Sequence, residues 1–121
     1  MSAPACELTQ KKCVPCEGGI EKYGKPEAEE KLALLENGWT IDEAGLNLMR
    51  EFKFKGFAKT MYFVNAIAFL ADKEGHHPDV TFCWGYCRVQ FTTHAIGGLS
   101  ENDFICAAKI DQLVEIGRAH V

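Results

Sequence analysis

The side chains with the most chemical potential in this sequence sit in the stretch Glu74-Gly75-His76-His77-Pro78-Asp79-Val80. Two of the four histidines are adjacent here, and a third, His94, follows 17 positions after His77, at the end of an apolar-polar alternating run. Imidazole titrates near pH 6.5, so clustered histidines can give and take protons at neutral pH or bind a metal. Pro78 disfavours helical backbone at His77 and pushes it extended. Side chains of consecutive extended residues diverge, so His76 and His77 would face different parts of a cleft. No obvious nucleophile accompanies the histidines. No G-x-S-x-G elbow and no glycine-rich phosphate loop is present. General acid–base work in a dehydration or isomerisation therefore fits the residue types, with a three-histidine zinc site as the competing reading.

The pattern around these residues predicts what positions them. Residues 1–25 mix Pro, Gly and Lys without periodicity and read as an irregular arm. Pro26 suits a first helical position, and Asn37-Gly38 marks a stop, giving a short helix over 26–36. Residues 46–54 alternate, with Leu46, Leu48, Phe52 and Phe54 on one face and Arg50 interrupting it. The preceding residues 39–45 would be the hairpin partner, turning near Glu43 to Gly45. From Gly56 to Lys73 the period becomes helical. Phe57, Met61, Val64, Ala68 and Ala71 form a stripe that Phe63, Ile67 and Leu70 widen, so part of it would meet another subunit.

A second hairpin is expected from Asp79–Trp84 and Tyr86–His94 around Gly85. With the turn centred between Gly85 and Tyr86, His77 falls opposite His94, and opposed residues carry Cβ atoms roughly 5 Å apart. The three imidazoles would then share the open end of this hairpin. Ser100 is a natural N-cap for a last helix, with Asp103 in position to complete a capping box. The order α-β-β-α-β-β-α implies an α+β fold, a four-stranded antiparallel sheet with helices packed on one face. A single domain over 26–117 with a tail at 118–121 fits a chain of 121 residues.

Composition narrows the partners. The formal charge of −4 argues against nucleic acid, and no apolar run approaches the roughly 20 residues that span a bilayer. The N-terminal residues lack the apolar stretch of a signal peptide, which points to the cytoplasm. There the six cysteines are expected as thiols. Cys83, Cys87 and Cys106 lie in apolar patterns and should pack as small hydrophobes. Cys13 and Cys16 form a single C-x-x-C, read as a loop, without a second pair at zinc-finger spacing.

The run Asp72, three residues, His76-His77-Pro78, five residues, Trp84, nine residues, His94, eight residues, Asp103 resembles the signature of the pterin-4a-carbinolamine dehydratase family. The segments Phe52–Phe57 and Thr93–Phe104 are similar to it as well, and the similarity spans about residues 37–114. The resemblance implies a lyase that needs no cofactor and no metal. It dehydrates 4a-hydroxytetrahydropterin to quinonoid dihydropterin, which recycles the pterin of aromatic amino acid hydroxylation. It assigns acid–base roles to His76, His77 and His94, with Asp72 at the family's acidic position. Gly75, His76, His77, Pro78, Thr92, Thr93 and His94 match its substrate-binding segments, with Trp39 near the pocket and Asp103 as the final aspartate. It also implies a homodimer or homotetramer. The rival reading is a non-catalytic binding or assembly protein on the same fold.

Overall fold

The computed structural model describes residues 8–14 and 20–119. Cys6, Cys16 and the last two residues of the tail lie outside the described residues. Helix α1 spans Lys25–Lys31, with Pro26 in its first turn, and tightens into a 3-10 turn at Leu32–Leu34. It is followed by β1 (Thr40–Ile41), β2 (Leu48–Lys53), α2 (Phe57–Glu74), β3 (Asp79–Cys83), β4 (Tyr86–Phe91), a 3-10 turn at His94–Ile96, and α3 (Glu101–Ala119). The four strands form one antiparallel sheet in the order β1-β2-β4-β3. This is the α+β architecture that the periodicities predict.

The first hairpin turns where expected, with Thr40 opposite Met49 and Ile41 opposite Leu48. Asp42 builds its turn. The carboxylate accepts from the backbone N–H groups of Leu46 and Asn47 and from the Asn47 amide, which holds its carboxyl below the ordinary aspartate value.

Alternation decides which sheet face is covered. Leu48, Phe52, Cys87, Val89 and Phe91 all turn to one face and are buried there against α2 and α3. Phe63 of α2 sits between Phe52 and Phe54, with ring centroids at 4.8 and 5.0 Å. Burying one such side chain contributes roughly 2–3 kcal/mol. Arg50, the break in the apolar face, keeps its place by reaching Asp111 of α3 at 2.7 Å and lying over the Phe52 ring.

The helix stripe of α2 is rotated from the expected one. Thr60, Phe63, Ile67 and Ala71 are its buried residues, whereas Phe57 and Ala68 are exposed. The flanking residues of the predicted stripe thus face the sheet and α3. Thr60, polar and absent from that stripe, fits because its hydroxyl donates to the Gly56 carbonyl at 2.8 Å. Of the three cysteines expected in the core, Cys87 and Cys106 are buried, but Cys83 is exposed. It lies on edge strand β3 opposite Tyr86, on the sheet face that the helices do not cover. In the arm, Leu8 and Tyr23 are buried in the core, and the Tyr23 N–H donates to the Leu99 carbonyl at 2.7 Å.

Candidate active site

Helix α2 stops at Gly75, whose φ of +66° is the left-handed conformation that ends helices. The His76 N–H returns to the Ala71 carbonyl at 3.2 Å, so the histidine pair leaves the helix in a fixed direction. His76 turns inward and is only 5% exposed, while its neighbour His77 is exposed. The two side chains diverge, as extended backbone before a proline requires.

The second hairpin differs from the expected register by two residues. Cys83 pairs with Tyr86, so the turn is Trp84-Gly85 rather than one centred on Gly85 and Tyr86. Gly85 takes a φ of +85°, the value a type II turn needs at its third position, and a Cβ there would crowd the Phe54 carbonyl. The ladder begins at Asp79 and ends at Gln90 on the two strands. His77 and His94 are therefore not cross-strand partners. His94 instead opens the 3-10 turn after β4 and is exposed.

The inner imidazole finds a carboxylate. His76 Nε2 lies 2.6 Å from Asp103 Oδ1, and both groups are buried. The other oxygen of Asp103 accepts from the Ser100 N–H at 2.9 Å and the Thr93 hydroxyl at 2.8 Å. Ser100 in turn lies 2.8 Å from Thr93 through its hydroxyl and accepts from the Asn102 N–H. With Thr93 donating to the carboxylate, the Ser100 hydroxyl donates to Thr93. Asp103 thus acts as acceptor throughout, and His76 carries its hydrogen on Nε2. The imidazole also stacks on Phe91, the last residue of β4, at 5.7 Å and 4° between planes. Its tautomer and its plane are both fixed.

Asp103 therefore does more than cap. The capping box predicted from sequence is present, and the same carboxylate binds the catalytic candidate. A carboxylate at the third helical position uses one oxygen for the cap and has one to spare, which is the signal that points to a second partner. Sequence reasoning did not find Phe91 as the stacking ring, nor the hydroxyl relay of Thr93 and Ser100. Asp72 is exposed on the last turn of α2. Thr92 is partly buried and donates to the Leu46 carbonyl at 2.7 Å. Pro78, His76, Phe91 and Cys106 line a small apolar hollow with Ile67, Leu70 and Ala71. Trp39 is buried, with its ring near Phe52 and Phe91 and its N–H donating to Asp111 at 2.9 Å. It belongs to the core layer behind Phe91. Among the described residues, no three His, Cys, Asp or Glu side chains are grouped as metal ligands. Nor is any described helix long and apolar enough to cross a membrane.

The chain is similar to known proteins over most of its length. The family Pterin 4 alpha carbinolamine dehydratase matches residues 21–113. A protein of Nitrosomonas eutropha named "Putative pterin-4-alpha-carbinolamine dehydratase" is 53% identical over 109 residues, covering 90% of this chain and 95% of its own. One of the same name from Nitrosomonas europaea is 54% identical over 108 residues, covering 89% and 94%. In three dimensions, the crystal structure of a transcriptional coactivator/pterin dehydratase from Brucella melitensis superposes with a TM-score of 0.73 at 29% identity. It covers 78% of this chain and 99% of that one. A pterin dehydratase-like protein identified as a RuBisCO assembly factor in the alpha-carboxysome gives 0.57 at 26% identity, over 65% and 92%. The chain belongs to the pterin 4 alpha carbinolamine dehydratase family of hydro-lyases, as the histidine signature implies.

Proposed function

We propose that this protein removes water from 4a-hydroxytetrahydropterin to give quinonoid dihydropterin, in the recycling of the pterin used for aromatic amino acid hydroxylation. The C4a–O bond breaks, the N5 proton is lost, and a C4a=N5 double bond forms. One imidazole protonates the departing hydroxyl and another takes the N5 proton. His77 and His94 are exposed and free to approach a substrate. His76 supplies the third group, with Asp103 compensating positive charge that develops on its ring. Asp72, Gly75, Pro78, Thr92 and Thr93 flank the histidines and would border the bound heterocycle.

The observation that carries this reading is the buried 2.6 Å bond between His76 and Asp103. A carboxylate behind an oriented imidazole is the arrangement that acid–base histidines use. An assembly role like that named for the carboxysome relative would not require the histidine set, and this chain keeps all three with Asp103. A homodimer or homotetramer in the cytoplasm completes the proposal, supported by the aromatic residues exposed on α2.

Chemically generated carbinolamine provides the test. We expect turnover by the wild-type chain and a fall to the uncatalysed rate in a His76→Ala, His94→Ala double variant. Equal rates for the two would overturn the assignment.

A further inference from the structure

The C-x-x-C motif is not used by the dehydration chemistry, yet one of its thiols is held in a defined place. Cys13 Sγ lies 3.3 Å from Cys106 Sγ, and its S–H points to the Asn102 carbonyl at 3.7 Å. The arm is clamped around it. The Cys13 N–H donates to Glu74 at 3.0 Å, and Glu74 accepts on its other oxygen from Lys109 at 2.8 Å. Val14 and the side chain of Asn102 exchange two bonds, the Val14 N–H donating at 3.1 Å and the Asn102 amide donating back at 2.8 Å. Cys13 is partly exposed and Cys106 is buried. Packing two small apolar groups does not require this many directional bonds to the backbone of Cys13 and Val14.

We propose that Cys13 and Cys106 form a reversible disulfide that locks the N-terminal arm onto α3. The sulfurs must close from 3.3 Å to the bonded distance of about 2.0 Å. Hydrogen peroxide serves as the oxidant. The Cys13 thiol, the accessible one, takes one oxygen as the O–O bond breaks, giving a sulfenic acid and water. The Cys106 sulfur then attacks the Cys13 sulfur. The S–S bond forms, the S–O bond breaks, and the departing hydroxide leaves with the Cys106 proton as a second water. The hydrogen bond with Cys13, together with burial, keeps Cys106 protonated until then. A small dithiol reverses the reaction by exchange. Cys106 lines the same hollow as His76, so the lock would sit against the candidate active site.

Peptide mapping of the full chain tests this. Reduced protein is treated with a few equivalents of hydrogen peroxide, its remaining thiols are alkylated, and it is digested without reductant. The wild type and a Cys16→Ser variant should both yield the peptide bearing Cys13 joined to that bearing Cys106, lighter by two hydrogens than the free pair. Dithiothreitol should abolish it, and Cys13→Ser, a change at the partly exposed partner, should prevent it. A Cys13–Cys16 bridge in the wild type without any Cys13–Cys106 link in Cys16→Ser would overturn the proposal. So would oxidation confined to Cys83.

Discussion

Asp103 holds the imidazole of His76 at 2.6 Å across 27 positions of sequence, and with its second oxygen it closes the first turn of α3. Helix cap and imidazole anchor are thus one carboxylate, and two substitutions separate the two roles. Ser100→Ala removes the capping hydroxyl and leaves the His76 bond. We expect a loss of about 1 kcal/mol in stability with the dehydration rate nearly unchanged. Asp103→Asn keeps the shape but removes the charge behind His76. It should cost about 2 kcal/mol and slow dehydration at least about tenfold, with an altered pH profile. Denaturant unfolding and carbinolamine turnover measure both. Equal effects of the two variants on rate would reduce Asp103 to a cap.

His77 and His94 make the complementary case. Both are exposed, so their removal leaves no cavity and no buried orphan. His77→Ala and His94→Ala should each stay within about 0.5 kcal/mol of the wild type in unfolding free energy. Each should nevertheless slow carbinolamine dehydration by about a hundredfold. Normal turnover in either variant would exclude that histidine from proton transfer.

The element order, the first hairpin and the capping box were legible because each depends on neighbours in sequence. Asp42, Gly45 and Ser100 declare their turns through local chemistry. Arg50 interrupts the alternation of β2, and only folding names its partner, Asp111, 61 positions away. The second hairpin was misread because Gly85 can occupy either central position of a tight turn, and a one-place choice there moves every pair on the ladder by two. His94 was placed on the strand because that reading ran it on past Phe91, where the chain instead turns into a 3-10 turn at His94. Nothing local distinguishes which of two adjacent histidines turns inward. That choice is made by Asp103 and by the ring of Phe91.

Asp111 anchors the far side of the core, and the consequence is measurable. It accepts from the Trp39 N–H and from Arg50, and burial pushes its carboxyl above the ordinary value against both of these bonds. Asp111→Ala would leave a largely buried guanidinium and an indole N–H without their acceptor. We expect a loss of about 3 kcal/mol. Asp111→Asn leaves the guanidinium without its counter-charge but keeps an amide oxygen as acceptor, so it should cost about 1 kcal/mol less than the alanine change. Thermal or urea unfolding that ranks the two the other way would remove Asp111 from this role.

Phe69 is 73% exposed on α2, with Phe57 and Tyr62 also exposed along the helix. A helix that buries one aromatic residue, Phe63, and exposes three suits association with a second copy. We expect sedimentation equilibrium to give an oligomer for the wild type and a smaller species for Phe69→Glu. An unchanged mass for Phe69→Glu would move the contact elsewhere.

Glu74 ties the arm to the helices, and acid should untie it. Burial raises its carboxyl, but the hydrogen bond from Lys109 and that from the Cys13 N–H outweigh burial and hold it below the ordinary glutamate value. A carboxyl depressed in the folded state adds stability above its unfolded pKa of about 4.3 and loses that stability as pH falls through the folded value. Glu74→Gln lacks the charge at every pH. The wild type should therefore be the more stable of the two at pH 7, and the gap should narrow steadily below about pH 4. Urea unfolding of both chains between neutral and acid pH gives the gap directly. A difference independent of pH would mean that Glu74 acts through shape and hydrogen bonding alone, since only its ionised form is matched to the Lys109 ammonium at 2.8 Å.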